Sequence, residues 1–304
     1  MSDSFEISSF VRAALQAHRP VVALETTLVT HGLPDPQGVQ AATELESVVV
    51  SEGAVPATIG VLDGRVHVGL GLDELHRLAA APETAKLNLS NFAAQVASGE
   101  PGSTTVAATC FVASRCGIEV FATGGIGGVH RGAGATGDVS ADLYALARYP
   151  VAVVCAGAKA VLDLPQTVER LETLGVPIFG LGTGEFPAFY RRDSGLPVDR
   201  RFDSVEDLAH AIRAHFDLGL GTGVVVANPI PAEDQMPREL YERTLTQALA
   251  DAGQRGITGR AVTPFLLDRL RELTSGESVA VNLALLRNNA RAAAAIASAM
   301  ARRS

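Results

Sequence analysis

The chain has 304 residues, 47% of them hydrophobic and 19% charged, with a net charge of −8. That length and composition suit a large buried core and exclude a disordered chain. The acidic balance, with no run of Lys or Arg, argues against a nucleic-acid backbone as partner, and no apolar run reaches the roughly 20 residues of a membrane span.

In chain order, Met1–Phe10 is polar and acidic, without the apolar core of a signal peptide. Short, nearly all-apolar runs then alternate with segments of helical period. The runs are Pro20–Leu24, Pro56–Leu62, Ile118–Ala122, Val151–Cys155, Val176–Phe179 and Val224–Ala227. Their length and their Gly and Pro borders predict buried strands. Gln37–Glu52 and Leu164–Leu174 predict helices, the second stopped by Gly175 with Pro177 beyond it. The Ala-rich tail Ala290–Met300, with Arg287 before it and Arg291 inside it, predicts a docked C-terminal helix. Strand–helix alternation implies an α/β fold with a mostly parallel sheet and helices on both faces. Without a linker-like stretch or internal repeat, 1–304 is expected to be a single domain. Ligands of such folds lie beyond the C-terminal strand ends, so the loops after Leu24, Ala122, Cys155 and Ala227 are the ones to inspect. The three cysteines, Cys110, Cys116 and Cys155, lack paired spacing, which predicts neither zinc nor disulfides and suits a reducing cytoplasm.

Lys159 follows the run Val151–Cys155. A lysine there, partly buried or beside another cation, could present a free amine to a sugar carbonyl; it could equally snorkel from a helix start. Glu25 ends the first long run, where desolvation would raise its pKa toward that of a useful acid, although a surface glutamate fits the same position. Asp138 and Asp142 are four apart with Ser140 between them. On a helix they would share a face and could hold a hard cation or substrate; a plain helix N-terminus is the competing reading. Ala122–Gly132 carries four glycines in five residues, Gly124 to Gly128, followed by His130 and Arg131. Such a loop can approach a ligand and offer amides to an anion, but it lacks the ending of a P-loop. Asn228, Asn282, Asn288 and Asn289 lie in or near apolar segments, where turns and caps account for most asparagines. These residues leave open a Schiff-base lyase or aldolase acting on a phosphosugar, and a non-catalytic nucleotide-binding module.

Read together, several segments carry a resemblance. They are Ala23–Leu28 with His31-Gly32, Ala122–Ala133, Asp138–Leu143, Val153–Lys159, Phe186–Phe189, Val225–Pro231, Thr263–Leu267 and Asn288–Ala290. In that order, from about Pro20 to Ala290, the chain resembles the pseudouridine-5′-phosphate glycosidase family, also called indigoidine synthase A-like. The resemblance implies reversible cleavage of pseudouridine 5′-phosphate to uracil and ribose 5-phosphate. It implies Lys159 as Schiff-base nucleophile on ring-opened ribose, Glu25 as proton donor, and Asp138 as ligand of a divalent metal, usually manganese. It also implies Ser140, Ala141, Asp142, Lys86 and Val106 as substrate contacts, His130 and Asn282 as further site residues, a three-layer α/β/α fold with a mostly parallel central sheet, and a homotrimer. After the matching lysine the family often reads Ser-Arg-Arg-Asp, where this chain has Leu87-Asn-Leu-Ser-Asn-Phe92. Phosphate binding is therefore expected to rest on Lys86, glycine-loop amides and a helix N-terminus.

Overall fold

The computed structural model describes residues 4–33, 36–257 and 262–302, and the side chains of Thr263 and Pro264 lie outside the description. Of the polar N-terminal stretch and the Thr263–Leu267 motif, only the remaining residues are therefore discussed. The strands are β1 (Phe5–Ile7), β2 (Val21–Leu24), β3 (Val55–Leu62), β4 (Arg65–Val68), β5 (Ala85–Leu87) and β6 (Gly102–Thr104). They continue with β7 (Val120–Ala122), β8 (Ala152–Cys155), β9 (Ile178–Leu181), β10 (Arg200–Phe202) and β11 (Val224–Ala227). Every apolar run picked out from the sequence is a strand. β1, β4, β5, β6 and β10 carry no long apolar run and escape that test.

The sheet order is β1-β4-β3-β2-β7-β8-β11-β9-β10, with β6 pairing β3 and β5. Neighbours are parallel except where β3 meets β4 and β6. The central strands have no polar face because helices cover both sides; all of β2, β8 and β11 is buried. On one side the long helix Glu277–Ala301 crosses β2, β7 and β8 and packs on the helices Gln37–Ser51 and Val205–Asp217. On the other, Val106–Cys116 packs on β2, β7 and the short helix Ala141–Leu146.

The C-terminal helix docks through small and aliphatic residues, among them Val281, Leu285, Ala293 and Ile296. Each fully buried aliphatic side chain of Val or Leu size is worth roughly 1.5–3 kcal/mol. The arginines in and before its Ala-rich stretch reach across to the helix Gln37–Ser51, Arg287 to Glu44 at 2.6 Å and Arg291 to its C-cap Glu52 at 3.3 Å. Exposed pairs of this kind contribute about 0–1 kcal/mol, so apolar packing holds the helix. The helix Leu164–Thr173 begins under the cap Asp163, which accepts from Gln166 N at 3.1 Å. It ends before Gly175, whose φ of +69° makes the stop.

Register sets up the site. Leu24 lies opposite Ala122 and Ala122 opposite Val154, so β2, β7 and β8 end level and release their loops at one edge. From β2 the chain moves to β3 on one side and later returns through β7 on the other. The β2/β7 boundary is thus the point where strand order reverses, and open α/β sheets place their crevice at such a point.

Candidate active site

Glu25, Thr123 and Lys159 are delivered by the ends of these three adjacent strands. Glu25 follows β2, and the Thr123 hydroxyl, following β7, donates to Glu25 Oε1. A threonine network holds the loop after Glu25. Thr26 Oγ1 donates to Ile59 O at 2.7 Å, Thr27 Oγ1 donates to Thr104 O at 2.7 Å, and Thr104 N donates to Thr26 Oγ1 at 2.9 Å. Beyond β8 the chain turns at Gly157, with φ +85° and a carbonyl, Pro187 O, only 1.9 Å from where a Cβ would stand. No other residue fits there. Lys159 N then donates to Ile126 O at 3.0 Å, tying the lysine's backbone to the glycine-rich loop.

Glu25, Lys86, Lys159 and Asn282 line one chamber of about 80 Å³, whose apolar walls include Leu28, Phe189 and Leu286. A wider pocket of about 320 Å³ adjoins it and shares His31, Gly32, Leu267 and Asn282. Burial raises the Glu25 pKa, against the nearby Lys159 charge and the Thr123 hydrogen bond, which lower it. Burial also lowers the pKa of Lys86, helped by Lys159 and opposed by Glu25 and Asp142. The chamber thus brings a carboxyl and two lysines together, the groups a Schiff-base reaction needs.

The segment after Lys86 is a tight turn. Leu87 is fully buried, Asn88 N donates to Asn91 Oδ1 at 2.8 Å, and Asn91 Nδ2 donates to Lys86 O at 3.1 Å. Asn91, beyond the positions of the family's two arginines, holds the backbone of Lys86.

Two expectations are corrected. Asp138 and Asp142 do not share a helix face: the helix begins at Ala141, with Ser140 as cap accepting from Asp142 N at 3.2 Å, and Asp138 lies in the loop before it. Nor is the glycine-rich loop chiefly an amide cradle. Ile126 N donates to Gly157 O at 3.1 Å, Gly127 N to Asp142 Oδ2 at 2.8 Å, Val129 N to Thr167 Oγ1 at 3.0 Å and His130 N to Asp138 O at 3.1 Å. Glycine is required there by crowding, since a Cβ on Gly127 would stand 2.2 Å from Ser140 Oγ.

Asp142 is buried, and its other oxygen accepts from Ala107 N at 2.9 Å. Its carboxylate pins the loop to the first turn of Val106–Cys116, so it positions groups around the chamber. In that helix Ala108 N turns to the cap Thr105 at 3.5 Å. Val106, whose side chain is fully buried, has only its first-turn amide to offer a ligand. Ala141 stands likewise at a helix start, beside the Ser140 hydroxyl.

His130 is half-buried and lies within electrostatic reach of both lysines; burial lowers its pKa first, against Asp138, which raises it. Its Nδ1 is 4.0 Å from Asp138 Oδ2. Among the described residues no group of three His, Cys, Asp or Glu could enclose a metal. The Asp138 carboxylate, one-third exposed, fits a hard cation that keeps most of its waters.

Asn289 is fully buried and donates to Thr123 O at 2.8 Å while accepting from Asn228 Nδ2 at 2.9 Å. Asn288 Nδ2 donates to Pro229 O at 3.0 Å. These asparagines anchor the long helix to the strand ends, and only Asn282 faces the chamber. Sequence reading passed over Thr123, although it follows β7 as Glu25 follows β2, and Phe189, whose ring stands against Gly125 with φ +62°.

Residues 10–299 match the family model described as indigoidine synthase A like protein. A relative from Methylobacterium nodulans, named pseudouridine-5′-phosphate glycosidase, is 54% identical over 95% of this chain and 86% of its own. One of the same name from Caldanaerobacter subterraneus is 48% identical over 98% and 97%. Among solved structures, a prealnumycin C-glycosynthase in complex with ribulose 5-phosphate superposes with a TM-score of 0.92 at 36% identity, covering 99% of this chain and 98% of the other. An indigoidine synthase A-like protein from Thermotoga maritima gives 0.88 at 35%, covering 98% and 97%. The chain belongs to the indigoidine synthase A-like family.

Proposed function

We propose that this protein is a pseudouridine-5′-phosphate glycosidase, reversibly converting pseudouridine 5′-phosphate and water to uracil and ribose 5-phosphate. The observation that carries this is the convergence of Glu25, Lys86 and Lys159 in one chamber at the reversal of strand order. Uracil bonded through carbon leaves poorly, because the departing charge falls on carbon. A lysine circumvents this by forming covalent intermediates. The Lys159 amine attacks C1′ as the bond from C1′ to the ring oxygen breaks, and Glu25 protonates that oxygen. Glu25 next takes a proton from the new ammonium and passes it to uracil C5. The C1′–C5 bond breaks, its electrons stay on uracil, and the nitrogen lone pair closes the iminium. Water then hydrolyses the iminium, releasing ribose 5-phosphate and the free lysine. Proton transfer by Glu25 supplies about 10²–10⁴-fold.

By family resemblance, Lys86, the Val106 amide and His130 would supply donors to the phosphate, with Ser140 and Ala141 as further substrate contacts. Asp138 would hold a divalent cation, Mn²⁺ by family resemblance, which polarises substrate oxygens when bound. Described helices include none long and apolar enough to cross a membrane. A cytoplasmic homotrimer, each chain a single domain, belongs to the same proposal; light scattering tests the assembly.

The test is product analysis. Pseudouridine 5′-phosphate should yield uracil and ribose 5-phosphate, with dephosphorylated pseudouridine at least 10-fold poorer. An adduct on Lys159 without uracil release would favour the Schiff-base lyase, and equal use of pseudouridine would remove the phosphate anchor. Tight nucleotide binding with no turnover would favour the binding module.

A further inference from the structure

His31 is a polar chamber residue to which the reaction above gives no task. It lies on a π-helical turn, Leu28–Gly32, a rare geometry that recurs at functional sites. The turn is held by close packing: a Cβ on Gly38 would stand 2.4 Å from Val29 O. His31 lines both the inner chamber and the wider pocket, as does Asn282.

A chain of hydrogen bonds fixes its ring. Thr30 Oγ1 donates its one proton to Ser103 Oγ at 2.8 Å, and Ser103 Oγ reaches Ala85 O at 3.4 Å. Thr30 Oγ1 is also 2.6 Å from His31 Nδ1. With its proton given to Ser103, Thr30 accepts from Nδ1–H, the arrangement that leaves Nε2 a lone pair; Ser103 Oγ also lies 3.4 Å from Nδ1. Partial burial, first, and the Lys86 charge both lower the His31 pKa.

Of the chamber's polar side chains, the Thr27 and Thr123 hydroxyls are already bonded to Thr104 O and Glu25, and Glu25 serves the reacting carbon. Within the described residues His31 Nε2 and the Asn282 amide carry no hydrogen bond. These two line both the chamber and the wider pocket that adjoins it, beside the apolar wall of Leu28 and Leu286. Uracil joined through C5 presents two ring N–H donors, at N1 and N3. Asn282 can complement one amide edge, leaving one N–H unmatched.

We propose that His31 is a specificity residue of this site, its Nε2 accepting a hydrogen bond from a ring N–H of the uracil. The assignment rests on the glycosidase reading. A site built to bond an N–H rejects bases that lack it, because its acceptor is left unpaired.

The test is synthesis from ribose 5-phosphate with uracil, 1-methyluracil or 3-methyluracil, beside reductive trapping of ribose 5-phosphate on the enzyme. Wild type should discriminate against both methyluracils. His31→Leu should raise KM for uracil about 10- to 100-fold while trapping proceeds at the wild-type rate, and its preference for uracil over one methyluracil should collapse to a few-fold. His31→Gln, with an amide oxygen available, should recover part of the loss. An unchanged uracil KM in His31→Leu, or a loss of trapping in step with turnover, overturns the role. Should His31→Leu fail to fold, wild type alone decides: equal use of uracil and both methyluracils overturns it. If wild type neither traps ribose 5-phosphate nor makes a C-nucleotide, the glycosidase reading fails and takes this role with it.

Discussion

Removing the Asp142 carboxylate should cost the fold first and the chemistry second. Its oxygens accept from Ala107 N at 2.9 Å and Gly127 N at 2.8 Å, and the residue is only 5% exposed. Each bond involves a charged acceptor, worth about 1.5–3 kcal/mol. Asp142→Ala strands two interior amides and should lose about 3–6 kcal/mol, a large share of the roughly 5–15 kcal/mol of a typical domain. Asp142→Asn keeps the shape and one acceptor, and should lose about half as much. Urea titration followed by circular dichroism suits this tryptophan-free chain. With a slope near 3 kcal/mol per molar, the alanine midpoint should fall by about 1–2 M. Substrate protection should not restore it, since the bonds lie within the protein. If both variants unfold within about 0.5 kcal/mol of wild type and only KM rises, the carboxylate faces substrate and the positioning role is wrong.

Glu25→Gln should separate activity from stability. Burial raises the Glu25 pKa above its ordinary 4.5; the associated stability is full below the unfolded value and is lost as pH rises through the raised one. The neutral variant should therefore equal or exceed wild-type stability at pH 7–8, while turnover drops about 10²–10⁴-fold; a destabilised but active variant would contradict the acid role. Gly157→Ala meets both a positive φ and the Pro187 carbonyl, and should lose at least about 1–3 kcal/mol together with most Lys159 reactivity; wild-type melting would refute the crowding. Dialysis against a chelator should lower turnover and Mn²⁺ should restore it in wild type but not in Asp138→Ala; full activity in metal-free protein would remove the cation.

The central strands were legible because parallel strands buried on both faces must be continuously apolar. β4 was missed although Asp63-Gly64, with φ of 52° and 71°, makes the tight turn from β3; a two-residue hairpin hides inside an otherwise α/β pattern. Glu25 and Lys159 could be singled out because each follows an apolar run. Their meeting depends on β2, β7 and β8 being neighbours, which no local pattern encodes. Asp142 stands out by its spacing from Asp138, but its backbone-amide partners are invisible in a list of side chains. The glycines of the Gly124–Gly128 loop were legible as close approach, but the approaching groups are Ser140, Thr167 and Phe189.

The most direct test of the account is intact and peptide mass spectrometry after borohydride reduction of the protein with ribose 5-phosphate and Mn²⁺, beside Lys159→Ala. The account predicts one reduced pentose-phosphate adduct per chain, mapped to Lys159 and absent from the variant. An adduct on Lys86, or undiminished turnover in Lys159→Ala, would contradict it.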